Sequence, residues 1–460
     1  MSDQTPGHGI SFGAAFRLWC RVALLSFGGS AGQIAVIHRM LVEEKRWISE
    51  SRFLHALNYC MVLPGPEVQQ LTIYLGWLLH RAKGGLVAGS LFVLPGFAAL
   101  LALSVTYGLY GASPLVQGLF FGLKPAVLAV VAHALVGIAG RALPNAVTKV
   151  IAAAAFLGVF ALGVPFPAVV GLAAAGGFLV GRLRPDLFGR RPDLPPEAGA
   201  LGDDEPALDA ALARGTVEPV RPSGPRAALV LAIWLPLWAL PVAVAWALLG
   251  GDHILVQIGL FFGKAAVVTF GGAYAVLAYV AQEAVGSLGW LAPGEMLDGL
   301  GMAETTPGPL IMVVEFVGFL GAYRHPGGLD PLTAGILGAV ITTWVTFVPC
   351  FLWIFLGAPH VERLRGHRDV NAALSGITAA VVGVVFNLAV WFSIHVIFTA
   401  ERAMAVGPVT IHPPVWASVD PPSAVLAVTA LVAMFGFRAG MVPTLAASAA
   451  IGAGWVNFGP

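Results

Sequence analysis

Charge is scarce in this chain: only 11% of its 460 residues are charged, while 58% are hydrophobic. An average soluble domain is about a quarter charged, so a water-soluble globular protein is excluded. The 25 basic and 24 acidic residues nearly cancel, and no basic tract with interleaved aromatics occurs, so nothing points to a nucleic-acid partner. Cysteine is limited to Cys20, Cys60 and Cys350. Each lies in an apolar stretch, with no CxxC or histidine-rich cluster, and reads as a small core residue rather than a disulfide or metal ligand. Enzyme signatures are missing too: there is no HExxH, no P-loop and no aspartate-rich pair. No catalytic residue, metal or cofactor is therefore expected. Without a Walker motif the chain does not hydrolyse ATP, and any transport must draw on an ion gradient or a counter-substrate. The segment 1–10 has neither a basic n-region nor a cleavage site, so no signal peptide is predicted and the first span stays in the mature protein.

Long apolar runs are what the chain has instead. They lack the ten-residue alternation of a β-barrel, and their length fits membrane-crossing helices. Spans are predicted at roughly 12–37, 53–80, 85–110, 115–140, 146–162 and 165–182, then 227–249, 253–281, 297–322, 331–357, 370–398, 422–437 and 440–457, about thirteen in all. Between them, 183–226 mixes Arg184, Arg190, Arg191, Asp193, Asp203, Asp204, Glu205, Arg214 and Arg221 with prolines and has no periodicity. The predicted fold is an all-α polytopic membrane protein with four parts: an N-terminal repeat at 1–182, a polar linker at 183–226, an extra span at 227–249 and a C-terminal repeat at 250–460.

The repeat rests on spacing. Ser26-Phe27-Gly28-Gly29, Trp47 and Pro64-Gly65-Pro66 recur as Thr269-Phe270-Gly271-Gly272, Trp290 and Pro307-Gly308-Pro309, each 243 positions on. Arg21 and Lys264 share that offset, whereas Leu94-Pro95 pairs with Val348-Pro349 and Gly122 with Gly376 at 254. The step fits an insertion around 324–331. Six spans precede the linker and the span at 227–249 has no partner, so the second copy starts from the opposite side. The two copies are expected to be inverted, a common transporter plan.

Basic residues set the expected orientation. Arg182, Arg184, Arg190, Arg191, Arg214, Arg221, Arg226, Arg81, Lys83, Arg141, Lys149, Arg363, Arg365, Arg368 and Arg438 fall on the linker side, which predicts a cytoplasmic linker and N-terminus. Arg39, Lys45, Arg46, Arg52, Arg324 and Arg402 fall opposite. The 38–52 segment conflicts with this count, because it is basic yet placed outside. A chain that turns back at Phe-Gly-Gly, instead of crossing once over 12–37, would remove the conflict and lower the span count.

Pro64-Gly65-Pro66 and Pro307-Gly308-Pro309 interrupt apolar runs. Each ends one helical piece and begins another, whose free N–H groups and positive dipole end make an anion seat. A surface loop before a proline-started helix is the plainer alternative, and the doubling favours a site. Gly28, Gly29, Gly271 and Gly272 allow a bend, tight packing or ligand contact. Arg21 and Lys264 can offset an anion's charge or snorkel to an interface. Glu67, followed by Gln69 and Gln70, and Glu304, followed by Thr306, are proton-coupling candidates or helix caps. Asn58 can line the same cavity. Glu315, Lys124 and His133 are weaker candidates.

Phe27-Gly28-Gly29-Ser30-Ala31-Gly32-Gln33-Ile34, Arg46-Trp47-Ile48-Ser49-Glu50, and the run from Asn58-Tyr59 through Pro64-Gly65-Pro66-Glu67-Val68-Gln69-Gln70 resemble the chromate ion transporter family. So do Gly76-Trp77-Leu78, Gly84-Gly85-Leu86-Val87-Ala88-Gly89, Phe270-Gly271-Gly272-Ala273-Tyr274-Ala275-Val276 and Thr306-Pro307-Gly308-Pro309. The chain is similar to the long, two-domain members, departing at Ser30, where the family usually has proline after Phe-Gly-Gly. The resemblance implies chromate efflux from the bacterial cytoplasm across the inner membrane, dependent on the proton-motive force, with sulfate as the related tetrahedral oxyanion. It supplies the substrate; the residues by themselves reach only a secondary transporter, with an anion favoured. A homo-oligomer in the bilayer is compatible with both.

Overall fold

A computed structural model describes residues 7–27, 29–61, 63–184, 206–216, 222–268, 270, 273–360, 368–402, 404–406, 409–411 and 413–458. Gly28, Thr269, Gly271, Gly272, Arg363, Arg365 and most of the polar linker lie outside those residues.

The first half runs through α1 (Phe12–Leu25), α2 (Gly29–His38), α3 (Glu50–Cys60), α4 (Glu67–Tyr110), α5 (Pro114–Ala142), α6 (Ala146–Leu162) and α7 (Phe166–Leu183). A short α8 (Ala207–Ala213) lies in the linker, and α9 (Gly224–Leu249) is the extra helix. The second half runs through α10 (Ile254–Val268), α11 (Ala273–Ala281), α12 (Pro293–Thr305), α13 (Val313–Arg324), α14 (Pro331–Gly357), α15 (Arg368–Ile397), α16 (Pro421–Leu431) and α17 (Met441–Phe458). The all-α expectation needs one small correction. An antiparallel hairpin, β1 (Met404–Val406) and β2 (Val409–Ile411), lies between α15 and α16. Helix starts follow local chemistry. Ser113 and Asp330 cap α5 and α14, each with proline at the first helical position, and Asn145 forms a capping box on α6, satisfying otherwise orphaned N–H groups.

Among the described residues, seven helices are long and apolar enough to cross a membrane, and three shorter apolar ones accompany them; the chain is a multi-pass membrane protein. Four of the thirteen predicted spans are not continuous, however. The 12–37 span is α1 and α2, and 253–281 is α10 and α11. The 53–80 span is α3 and the start of α4, and 297–322 is α12 and a helical stretch beginning at Leu310. Proline at these breaks lacks the N–H for an i to i−4 hydrogen bond, and glycine readily adopts non-helical backbone angles. Within α4 the backbone leaves helical geometry at His80 and Arg81. The chain folds back there so tightly that a Cβ on Gly76 would lie 2.5 Å from the Gly84 carbonyl oxygen. The arms are 67–79 and 82–110.

Contacts gather the broken helices' outer ends into two groups. In the first, His8 Nε2 bonds the Leu79 carbonyl at 2.7 Å and His80 Nε2 the Ile10 carbonyl at 3.0 Å. The Ala207 and Leu208 N–H groups donate to the Arg46 and Trp47 carbonyls, and Asp209 accepts from Ser49 N–H at 2.9 Å and Arg52 Nε at 2.6 Å. In the second, Arg324 pairs with Glu295 and donates to the Trp290 carbonyl, and Gly327 packs on His253. Tyr107 joins this group by donating to Asp298 at 2.9 Å. The two groups thus mark opposite ends of the 82–110 arm, about 40 Å apart at 1.5 Å per residue. This corrects the charge count that placed 38–52 opposite the linker. Residues 46–52 touch the linker helix.

The two halves share local features at equivalent positions. Each has a π-helical turn, at Arg39–Glu44 and Gln282–Ser287. Trp47 N–H donates to Leu41 and Trp290 N–H to Ala284, at 2.9 and 2.8 Å, again 243 positions apart. Apolar helices of the two halves then pack against each other. Gly122 of α5 meets Ser448 and Gly452 of α17, and Gly376 of α15 meets Ala173 and Gly177 of α7. Glycine permits this backbone approach. A Cβ at position 122 would lie 1.9 Å from the Ser448 carbonyl oxygen, whereas one at Gly137 meets nothing within 4 Å. Gly122→Leu is therefore expected to cost about 3 kcal/mol, read as a lower unfolding midpoint in detergent, while Gly137→Leu leaves the midpoint unchanged.

Candidate functional site

Both Pro-Gly-Pro segments join two short helices. The first connects α3 to α4, whose first residue is Glu67 with Pro66 as its cap. The second connects α12 to a single 3-10 turn, Leu310–Met312, that continues into α13. The central glycines share one unusual conformation, with φ +103° at Gly65 and +99° at Gly308, a region that side-chain-bearing residues rarely adopt.

Each break packs beneath the other copy. A Cβ on Gly65 would meet Gln70 Nε2 at 3.3 Å, Cys350 Sγ at 3.5 Å and the Ala266 carbonyl oxygen at 3.8 Å. One on Gly308 would meet Gly96 Cα at 3.1 Å and the Phe92 carbonyl oxygen at 3.4 Å. Gly96 and Cys350 are equivalent at the offset of 254, and each follows a proline inside a long helix, Pro95 and Pro349. Hydrogen bonds fix the loops further. Gly308 N–H donates to the Ser26 carbonyl at 2.9 Å, Gln33 Nε2 donates to the Gly308 carbonyl, and Gln70 Nε2 donates to the Pro64 carbonyl at 2.6 Å.

Between the two helix starts is a narrow cleft lined by Ser30, Gln33, Pro66, Glu67, Val68, Ala273, Pro309, Leu310 and Ile311. Four pairs of these residues are equivalent in the two copies: Ser30 with Ala273, Pro66 with Pro309, Glu67 with Leu310 and Val68 with Ile311. The cleft therefore lies where the copies meet. No lysine or arginine is among the lining residues. Glu67 is the one ionisable residue in the lining.

Glu304 occupies a different, non-equivalent place near the end of α12. Its Oε1 accepts a 2.7 Å hydrogen bond from the Tyr274 hydroxyl. Its Oε2 is buried without a partner among the described residues and faces Gly29, whose φ is +67°. The structure thus gathers Gly29, Pro66, Glu67, Glu304, Gly308 and Pro309 around the meeting point of α2, α4, α11 and α12.

Other predicted site residues fall elsewhere. Arg21 and Lys264 are exposed and absent from the cleft lining. Pro64, Gly65 and Pro307 shape the breaks behind the cleft. Asn58 is partly buried on α3 and does not line it. Gln69 is buried with both amide atoms unpartnered among the described residues, whereas Gln70 braces the first break. Thr306 is buried and its hydroxyl donates to the Ala303 carbonyl at 3.2 Å. Gly28, Gly271 and Gly272 lie outside the described residues. Sequence reasoning missed Ser30, Gln33 and Tyr274 as site residues. A signal existed for the first two, since polar residues at i and i+3 in an apolar helix share one face. On this geometry, Arg21→Ala is expected to change oxyanion flux less than twofold in membrane vesicles.

The family model described as chromate transporter matches residues 13–178 and 256–453. The chain is 30% identical over 381 residues to a chromate transport protein of Pseudomonas aeruginosa, covering 82% of this chain and 80% of that one. It is 27% identical over 431 residues to a chromate transport protein of Cupriavidus metallidurans, covering 94% and 90%. A probable chromate transport protein of Synechococcus elongatus is 27% identical over 376 residues, covering 79% and 80%. No solved structure matches. Two matched segments flanking the linker and α9, together covering most of the chain, establish that this protein belongs to the chromate transporter family.

Proposed function

We propose that this protein is a secondary transporter, not an enzyme, that exports chromate across the bacterial inner membrane and so confers chromate resistance. The observation that carries the reading is the cleft lined by equivalent residues of both copies, at the starts of two helices. A tetrahedral dianion there would be held by backbone N–H groups and two dipole ends. The proton-motive force or anion exchange drives transport, with the linker and N-terminus in the cytoplasm.

In this reading the copies are inverted and the broken helices re-enter instead of crossing. The first copy's breaks open from one end of the 82–110 arm and the second copy's from the other, which supports it. Nine crossings then remain: the 82–110 arm, α5, α6, α7, α9, α14, α15, 421–436 and α17. Alternating access moves the two sets of short helices against the long-helix frame.

No feature of the cleft separates one tetrahedral oxyanion from another, so sulfate is the rival substrate. Everted vesicles expressing the protein test both. The expected result is saturable chromate accumulation that a protonophore or removal of the counter-anion abolishes, with sulfate competing only weakly. Accumulation of sulfate in preference to chromate would reassign the substrate. Flux that never exceeds equilibration would make the protein a channel, and uptake only into right-side-out vesicles would reverse the direction.

A further inference from the structure

A second buried polar group lies one helical turn beyond the cleft, within the second copy only. Glu315 on α13 is fully buried, and both carboxylate oxygens lack a hydrogen-bond partner among the described residues. The same holds for Oγ1 of Thr342 and Thr346 on α14.

Packing sets the helices that carry these groups side by side. A Cβ on Gly318 would lie 2.0 Å from Thr342 Oγ1, and one on Gly338 would lie 2.4 Å from the Gly318 carbonyl oxygen and 2.7 Å from Ala322 Cβ. The two helices are therefore antiparallel, with position 318 beside 338 and 342. One turn back from Gly318 is Glu315, and one turn on from Thr342 is Thr346, so Glu315 faces the Thr342–Thr346 stripe.

The threonines are unusual in this protein. Thr72, Thr106, Thr378, Thr429 and Thr444 each bond the carbonyl four residues back, at 2.7–2.9 Å. Thr342 and Thr346 do not, and their hydroxyl oxygens stay available. The equivalents of Glu315, Thr342 and Thr346 in the first copy are Thr72, Ala88 and Phe92, so the repeat itself does not require the group. Charged groups on neighbouring elements are engaged elsewhere or exposed. Asp298 bonds Tyr107 and Lys124, Glu304 bonds Tyr274, and Lys264 is exposed.

A bare carboxylate in such surroundings is strongly disfavoured unless a positive charge joins it. A hard cation prefers oxygen ligands, and one carboxylate with neutral hydroxyls balances one positive charge, not two. We infer that Glu315, Thr342 and Thr346 form a binding site for a monovalent cation of sodium's size, whose occupancy is coupled to movement of the adjoining helix start. The coupling role rests on the transport reading above; cation binding does not.

Thermal unfolding of the purified full chain in detergent tests the site without any oxyanion. Sodium chloride is titrated against choline chloride at constant ionic strength. The expected result is a saturable rise in the midpoint with sodium, absent in Glu315→Gln, and a half-saturating concentration raised about tenfold in Thr346→Val. The valine is close in volume, so it reports on the hydroxyl even if Glu315→Gln misfolds. A sodium response equal to wild type in Thr346→Val and Glu315→Gln would overturn the site. So would a wild-type midpoint that responds to pH but not to sodium, which would make Glu315 a proton carrier. Sodium binding with no oxyanion flux would overturn the transport reading and leave the cation site standing.

Discussion

Gly308→Ala is expected to reduce oxyanion transport in everted vesicles about a hundredfold at matched expression, the scale of loss that a misplacement of about 1 Å produces. Position 308 has φ +99°, where any Cβ is strained by about 1–3 kcal/mol. Its new methyl would lie 3.1 Å from Gly96 Cα and 3.4 Å from Gly96 N. Both are backbone atoms of a long helix and cannot step aside. The loop must shift, and with it the Gly308 N–H and carbonyl that bond Ser26 and Gln33. Gly65→Ala makes an informative comparison. Its φ is nearly the same, but its nearest contacts are the movable end of Gln70 and Cys350 Sγ, so a milder loss is expected. Wild-type rates in Gly308→Ala would show that the second break does not shape the site.

The second large effect is expected at Glu67. Its carboxylate and a bound oxyanion would share the start of α4, and two anions at one helix start repel. The protonated residue admits the anion and the ionised residue opposes it. Binding is therefore strongest at low pH and weakens as pH rises through the titration of Glu67. Glu67→Gln removes that dependence and keeps binding at alkaline pH, at least about tenfold above wild type. Sulfate binding, followed by radiolabel on purified protein, is the suitable measurement, because sulfate's own charge does not change over this range. A pH profile in Glu67→Gln that matches wild type would remove Glu67 from the proton pathway and leave Glu304, which faces Gly29 instead of the cleft.

The doubled Pro-Gly-Pro was legible in the sequence because helix-breaking residues stand out in an apolar surround, and a fixed offset of 243 needs no coordinates. Its consequence for the spans was not. An apolar run of 26 or 28 residues predicts a crossing by length alone, yet 12–37 and 53–80 each turn at a glycine- or proline-containing break. Hydropathy measures burial in lipid or protein alike, so it cannot distinguish a crossing helix from two short ones packed inside a long-helix frame. The charge count failed at 38–52 for the same reason, since orientation was propagated through 12–37 as one continuous helix, whereas Arg46, Trp47 and Ser49 bond the linker helix.

Among candidate residues, Glu67, Pro66 and Pro309 needed only the local rule that helix starts attract anions. Arg21 and Lys264 were plausible by symmetry and charge, but which face of α1 or α10 they occupy depends on what packs against the other face. The sequence by itself determined the membrane setting, the duplication, the breaks and the family. Only the tertiary structure decided which equivalent residues meet, because the packing of one copy's break beneath the other copy's proline is set by contacts more than two hundred residues apart.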